Sequence, residues 1–148
     1  MNQYNEMASK FLVTVVPEFR KDAMLHLLYR FSKGETFVLT RLLRNKGSAS
    51  PSYLKEELGS STARIAMLLK TLEEKEMITR TADEADKRKV IVRITPKGEK
   101  HAIESHERVN QKTADVFEEM GADEAEKFIE LFQKYIEIST RNNEEKND

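Results

Sequence analysis

Two short stretches carry side chains suited to a polyanion. The first is Ser61-Thr62-Ala63-Arg64, the opening turn of a segment whose Ile65, Leu68, Leu69 and Leu72 form one apolar stripe at helical spacing. Either Ser60 or Ser61 can cap that turn. Small residues there let a helix approach base edges closely, and Arg64 has the planar fork that matches O6 and N7 of guanine. The free N–H groups of a helix start, with the Ser61 hydroxyl, can hold a phosphate. Ala63, Arg64, Met67, Lys70 and Thr71 occupy the face opposite the stripe. The second stretch is Asp86-Lys87-Arg88-Lys89, near the end of the polar run 83–89. An arginine on a protruding loop can enter a narrow minor groove, where the negative potential is enhanced. Asp86 is placed to brace such a loop by accepting backbone or guanidinium hydrogen bonds. Taken singly, a serine-rich helix start and a solvated basic loop tip are ordinary. Their occurrence in this order points to nucleic acid.

The elements that must position these residues are legible in the periodicities. Met7, Phe11, Val15, Phe19, Ala23 and Leu27 recur every four residues, which predicts helix, with a break at Pro17. Ser32-Lys33-Gly34-Glu35 has capping-box spacing and predicts a new helix with Phe37, Val38, Leu42 and Leu43 on its apolar face, ended by Asn45-Lys46-Gly47. Ser50-Pro51 opens a short helix that stops at Gly59. The period then changes: 77–81 and 90–94 are β-branched and alternating, with Val90, Val92 and Ile94 sharing a face. The seven polar residues between them form a long hairpin loop standing out in water. Thr95-Pro96 caps a long helix that runs to about Met120, before Gly121, with a weak seam of Ala102, His106, Val109, Thr113, Val116 and Met120. Asp123 and Glu126 again have capping-box spacing. The last helix carries a stripe of Phe128, Ile129, Phe132, Tyr135 and Ile136, and the polar tail from Arg141 is expected to fray. No internal repeat appears. Two short helices, a tight turn at Leu58-Gly59 and a basic-tipped hairpin make the order of a winged helix-turn-helix, whose second helix fits the major groove.

Charge is distributed unevenly. The 148 residues sum to −1, but 1–39 carry +1, 40–100 carry +5 and 101–148 carry −7. A local positive field beside an acidic end suggests two jobs in one chain. The terminal stripe is too apolar to leave exposed. It can pack on its own N-terminal helix or on a second copy. A dimer is the favoured reading, because reading two half-sites needs two heads about 34 Å apart. The fold class expected is therefore mainly α with a small antiparallel β wing. Residues 32–95 form the DNA-binding lobe, while 1–31 and 96–148 form a helical dimerisation region.

The residues resemble the MarR (multiple antibiotic resistance regulator) family of bacterial winged helix-turn-helix transcriptional regulators. The resemblance rests on Leu58-Gly59, Leu68, Leu72-Glu73-Glu74-Lys75, Ile78, Arg80, Asp83, Asp86-Lys87-Arg88-Lys89-Val90 and Ile94-Thr95-Pro96-Lys97-Gly98. It implies an intertwined homodimer on a pseudo-palindromic operator, acting as a repressor. It implies 61–70 as the recognition helix, so that Ser61, Thr62, Ala63, Arg64, Met67 and Lys70 face DNA. It implies Arg88 as the wing-tip arginine, positioned by Asp86 and flanked by Lys87 and Lys89. It also implies a small effector, often an aromatic or amphipathic acid, bound where the dimerisation helices meet the DNA-binding lobe. Two positions depart from the family pattern. Glu76 stands where members usually have glycine, so the turn is expected to be tight or distorted. Met67 stands where many have arginine, which lowers the number of polar base contacts.

Other classes fare worse. Zero cysteines exclude disulfides, thiol redox sensing and cysteine metal sites. Five glycines offer no phosphate-cradling loop, and His26, His101 and His106 form no catalytic constellation, so neither catalysis nor a cofactor is expected. His101 and His106 are spaced poorly for a shared helix face, even with Glu104 and Glu107 nearby, so no metal is expected. The longest apolar run near the start, 11–16, is far short of a membrane span or a signal segment. A soluble, cytoplasmic chain is expected. The alternative reading is a winged-helix protein-interaction module without specific DNA binding.

Overall fold

Asn2 opens the first helix, its side chain accepting from the backbone N–H of Tyr4 at 2.8 Å and of Asn5 at 3.2 Å. In the computed structural model, which describes residues 2–144, α1 spans Gln3–Thr14. Pro17 falls at the start of a 3-10 turn, Val16–Arg20, and the helical path resumes as α2, Ala23–Lys33. The break expected at Pro17 is thus present, because proline fits a first turn and not a helix interior.

The capping box expected at Ser32 is not used. Ser32 lies inside α2, where its hydroxyl donates to the Tyr29 carbonyl at 3.0 Å. Gly34 instead separates α2 from α3, Glu35–Arg44. A Cβ there would come within 2.8 Å of the Arg30 carbonyl, so the chain can turn this sharply only at glycine. Strand β1, Ser48–Ala49, follows, then α4, Pro51–Leu58, and α5, Thr62–Glu74. Serine hydroxyls cap both helices: Ser50 accepts from Tyr53 N–H at 3.1 Å, and Ser61 from Arg64 N–H at 3.2 Å. Strands β2, Ile78–Ala82, and β3, Val90–Ile94, complete an antiparallel sheet of order β1-β3-β2. Ala49 and Arg80 both face Val92 across the ladders.

Helices α3, α4 and α5 each end on a left-handed residue: Lys46 (φ 56°), Gly59 (φ 58°) and Glu76 (φ 59°). At the last, Met77 N–H closes back on the Leu72 carbonyl at 2.9 Å. That is the Schellman closure glycine usually makes. Glu76 therefore adopts the backbone of a glycine, and the turn is not distorted. It is also tied to the next helix, α6, Pro96–Met120. Thr95 donates its hydroxyl to the Glu76 carbonyl at 2.7 Å and accepts from Gly98 N–H at 3.1 Å. Gly98 is buried so tightly that a Cβ would sit 2.1 Å from the Met77 carbonyl oxygen.

The core is one cluster. Val38, Leu39 and Leu42 of α3, Leu54 of α4, and Ile65, Leu69 and Leu72 of α5 meet Ile78, Val92 and Ala102. Val90 shares the face of Val92 by alternation but is 43% exposed, because the hairpin has left the body of the lobe by that point.

The chain divides into two units, 1–109 and 110–148. The second holds the end of α6, a left-handed Gly121 (φ 83°) and α7, Ala122–Glu144. Asp123 is not the cap expected from its spacing with Glu126. The Gly121 carbonyl accepts from Ala125 N–H, and Asp123 sits in the first turn, where its charge suits the helix dipole. Helix persists through Glu144, past the point where fraying was expected, and 145–148 lie outside the described residues. In this unit Phe128 and Phe132 stack at 5.6 Å between centroids, and Phe117 tilts against Phe128 at 6.4 Å.

Candidate nucleic-acid interface

The reading turn is exposed. Ser61, Thr62, Ala63, Arg64, Met67 and Lys70 all face solvent, while the stripe behind them is buried. Met67 is 60% exposed, an apolar side chain on a face that is otherwise small or cationic. Lys70 lies 3.9 Å from Glu74, an exposed pair one turn apart that leaves its charge largely available. Arg64 has a partner within the chain: its Nη2 donates to the Lys33 carbonyl at 3.2 Å.

The wing is braced from within. Asp83 Oδ1 accepts from the backbone N–H groups of Ala85 at 2.8 Å and Asp86 at 2.9 Å. Asp83 N–H and the Lys89 carbonyl close the loop base at 2.8 Å. Those backbone donors, with Lys89 and Arg93 nearby, hold the Asp83 carboxyl below the usual carboxylate range. Asp86 accepts from both the backbone N–H and the Nε of Arg88, at 3.1 and 3.2 Å. Arg88 remains 93% exposed, so the bracing aims the guanidinium without hiding it. Lys87 and Lys89 are exposed on either side.

A cleft of about 260 Å³ joins the two parts. Its walls include Ser52 and Lys55 of α4, Thr62 and Ala66 of α5, and Arg80 and Val90 of the hairpin. The reading turn and the wing base therefore open on one hollow. A second hollow on the hairpin is bordered by Arg80, Lys87 and Lys89. Arg80 belongs to both, and sequence reasoning gave it no role at the surface. The Glu73 carboxylate takes its Nε at 3.0 Å and its Nη2 as well. This fork holds the Glu73 carboxyl below the usual carboxylate range and fixes β2 against the end of α5. The signal was available: a carboxylate and an arginine flanking a tight helix-to-strand turn. Lys55 and Ser52 were also missed, because nothing local in α4 marks them as facing the wing.

A separate cavity of about 110 Å³ lies within the first unit. Leu27, Arg30 and Phe31 of α2, Thr36 of α3, and His101, Ser105, Arg108 and Val109 of α6 line it. Phe31 also meets the His106 ring at 5.8 Å. The stripe Phe128, Ile129, Phe132, Tyr135 and Ile136 is 42–58% exposed along α7. Among the described residues, no three His, Asp or Glu side chains group as a metal site would. No helix among them is long and apolar enough to cross a membrane.

Comparison with known proteins agrees with this geometry. No curated protein matches the chain. Among solved structures, the YusO protein of Bacillus subtilis is similar over 92% of this chain and 99% of its own, at 18% identity and a TM-score of 0.69. The transcriptional regulator BldR of Sulfolobus solfataricus is similar over 95% and 99%, at 22% identity and 0.65. Wild-type apo MarR of E. coli is similar over 84% and 93%, at 25% identity and 0.63. The MarR family profile matches residues 32–90, the span from the end of α2 to the first residue of β3. Residues 32–90 thus match the MarR family model, and the chain that carries them has the winged helix-turn-helix fold of these solved structures.

Proposed function

We propose that the chain is a sequence-specific DNA-binding transcriptional regulator that acts without catalysis of its own. It works in the cytoplasm as a homodimer on a pseudo-palindromic operator, with 32–95 as the DNA-binding lobe and 1–31 with 96–148 as the dimerisation region. One observation carries the reading: Thr62 of the exposed opening turn of α5 shares a hollow with Arg80 and Val90 of the hairpin, and the tip of that hairpin presents a braced, 93% exposed Arg88. The recognition helix enters the major groove with Ser61, Thr62, Ala63, Met67 and Lys70 toward the bases and phosphates. The wing brings Arg88, set by Asp86, to the minor groove, with Lys87 and Lys89 on the flanking backbone. The stripe Phe128, Ile129, Phe132, Tyr135 and Ile136 joins the two copies. Bound across a promoter, such a dimer blocks polymerase by occupancy, which is repression.

The cavity lined by Arg30, His101 and Arg108 suits the effector. The two arginines beside Phe31, Leu27 and Val109 fit a small aromatic or amphipathic acid, its carboxylate on the guanidinium groups and its ring on the apolar wall.

The test begins with selection of duplexes from random DNA by the purified protein. The selected duplex should bind with a log–log salt slope of several units, since each phosphate contact contributes about −0.9. Arg88→Ala should cost about 1–3 kcal/mol in operator affinity with an unchanged melting temperature. An unselective pool, with no duplex preferred, would instead favour a protein-interaction module. For the effector, a thermal-shift series with aromatic acids should raise the melting temperature, and Arg108→Ala should abolish the rise.

A further inference from the structure

Both ends of the reading helix are fastened to one joint. At the start of α5, the Arg64 guanidinium donates to the main-chain oxygen of Lys33. Lys33 closes α2, where the last carbonyls have no intrahelical partner and carry the negative end of the helix dipole. A guanidinium there does for α2 what a C-cap side chain would do, but from another helix. At the far end of α5, Lys75 Nζ donates to both oxygens of Glu35, at 2.9 and 2.6 Å. Residues 33 and 35 flank Gly34, whose missing Cβ leaves room for the sharp turn. The same α2 carries Arg30 and Phe31 to the wall of the effector cavity, within one turn of the carbonyl that Arg64 holds.

We propose that Arg64 is a positioning residue, not a base reader. It sets the tilt of α5 against α2 and thereby fixes the angle at which the reading turn meets DNA. The neighbouring Thr62, Ala63 and Met67 then carry the base contacts, and Arg64 decides whether they arrive together. This rests on the DNA-binding reading given above, and the experiment has one arm that needs no DNA.

Arg64 is exposed, so its substitution leaves the core intact. Arg64→Met keeps the stem and removes the donor, and Arg64→Lys keeps a cationic donor. In the DNA-free protein, hydrogen exchange over 30–38 should rise in Arg64→Met and return toward the parent in Arg64→Lys. On DNA, Arg64→Met should lose about fivefold to tenfold of its preference for the duplex selected by the parent over random duplex. The loss should fall evenly across base positions, with random-duplex affinity and salt slope unchanged, and Arg64→Lys should recover most of it. Unchanged exchange over 30–38 overturns the proposal. So does a loss confined to one base pair, which makes Arg64 a reader, or a salt slope smaller by about one, which makes it a phosphate contact. If the parent selects no duplex at all, the DNA-binding reading fails, and the exchange arm still decides the tether.

Discussion

Leu39, Leu42, Leu54 and Leu72 of the reading lobe are shut away from water, whereas Phe128, Phe132, Tyr135 and Ile136 of α7 stand roughly half in it. Both sets are apolar residues at helical spacing, so sequence pattern alone treats them alike. The lobe brings three helices and a sheet around one cluster, and each of its leucines gains about 1.5–3 kcal/mol by burial. Along α7 the rings stack with one another, yet the outer face stays open. The first helix shows the same condition: Met7, Leu12 and Val13 are more than half exposed, and α1 buries none of its residues. A lobe that completes itself, beside helical ends that do not, is what two separable jobs require. On the proposed reading the ends supply the surface for a second copy, while the lobe folds around its own core.

The two regions can be damaged separately. Gly98→Ala puts a methyl group where the Met77 carbonyl oxygen already lies, so the turn, Thr95 and the start of α6 must all shift. We expect a loss of about 3 kcal/mol or more in lobe stability, read as a lower denaturant midpoint. Phe132→Asp or Ile136→Asp should do the reverse. A charge in a dimer interface should weaken association by about 3 kcal/mol, read by sedimentation, while the lobe's own secondary structure survives. Melting must be compared at one protein concentration, because association adds to apparent stability. Dimers that persist in both Asp variants would remove the stripe from the interface. Equal unfolding by Gly98→Ala and Phe132→Asp would erase the distinction between the regions.

Most of the lobe was legible because its signals are local. The stripe Ile65, Leu68, Leu69, Leu72, the caps Ser50, Ser61 and Thr95, and the stop at Gly59 each follow from spacing within a turn or two, and each is found in place. Strand β1 was not legible. Two residues show no alternation, and Ser48–Ala49 is a strand only because β3 runs beside it. Two capping boxes had the right residues and were not used, since Gly34 and Gly121 let the chain break elsewhere. The bracing of Arg88 by Asp86 was legible, two residues apart. The partner of Arg64 was not, because Lys33 lies 31 residues away and offers a carbonyl that every residue has. Pairing across sequence distance depends on packing, and no periodicity encodes it.

A smaller effect, this time stabilising, is expected at Glu76. Glu76 holds φ 59° without the freedom of glycine, which costs about 1 kcal/mol for a side chain in the left-handed region. Its one ion pair, to Lys97 at 3.4 Å, is exposed and contributes little. Glu76→Gly should therefore raise lobe stability by up to about 1 kcal/mol, after the greater backbone entropy of glycine in the unfolded chain is deducted. The dimer dissociation constant should not move. A variant less stable than the parent would mean that the Glu76 side chain holds the turn in a way its contacts do not show.

The smallest effect concerns the wing alone and is read through pH. Asp83 is held below its ordinary carboxylate value, first by the N–H of Asp86, then by that of Ala85, with Lys89 and Arg93 adding to the pull. A carboxyl depressed in the folded state contributes stability that is complete above its unfolded value, about 3.9, and is lost as pH falls through the lower folded value. From neutral pH down to about pH 5 the loop base should thus be unchanged. In stronger acid the amides of Ala85 and Asp86 should lose protection before those of Val92, whose strand is anchored in the core. Asp83→Ala should reproduce that loosening at neutral pH and weaken operator binding modestly, because Arg88 is then aimed by Asp86 on a loop that is itself loose. The carboxyl resonance of Asp83, followed by NMR, decides the matter. Titration at or above the ordinary value would mean that the two backbone donors are not engaged in solution, and the wing would then owe its shape to the Lys89 closure instead.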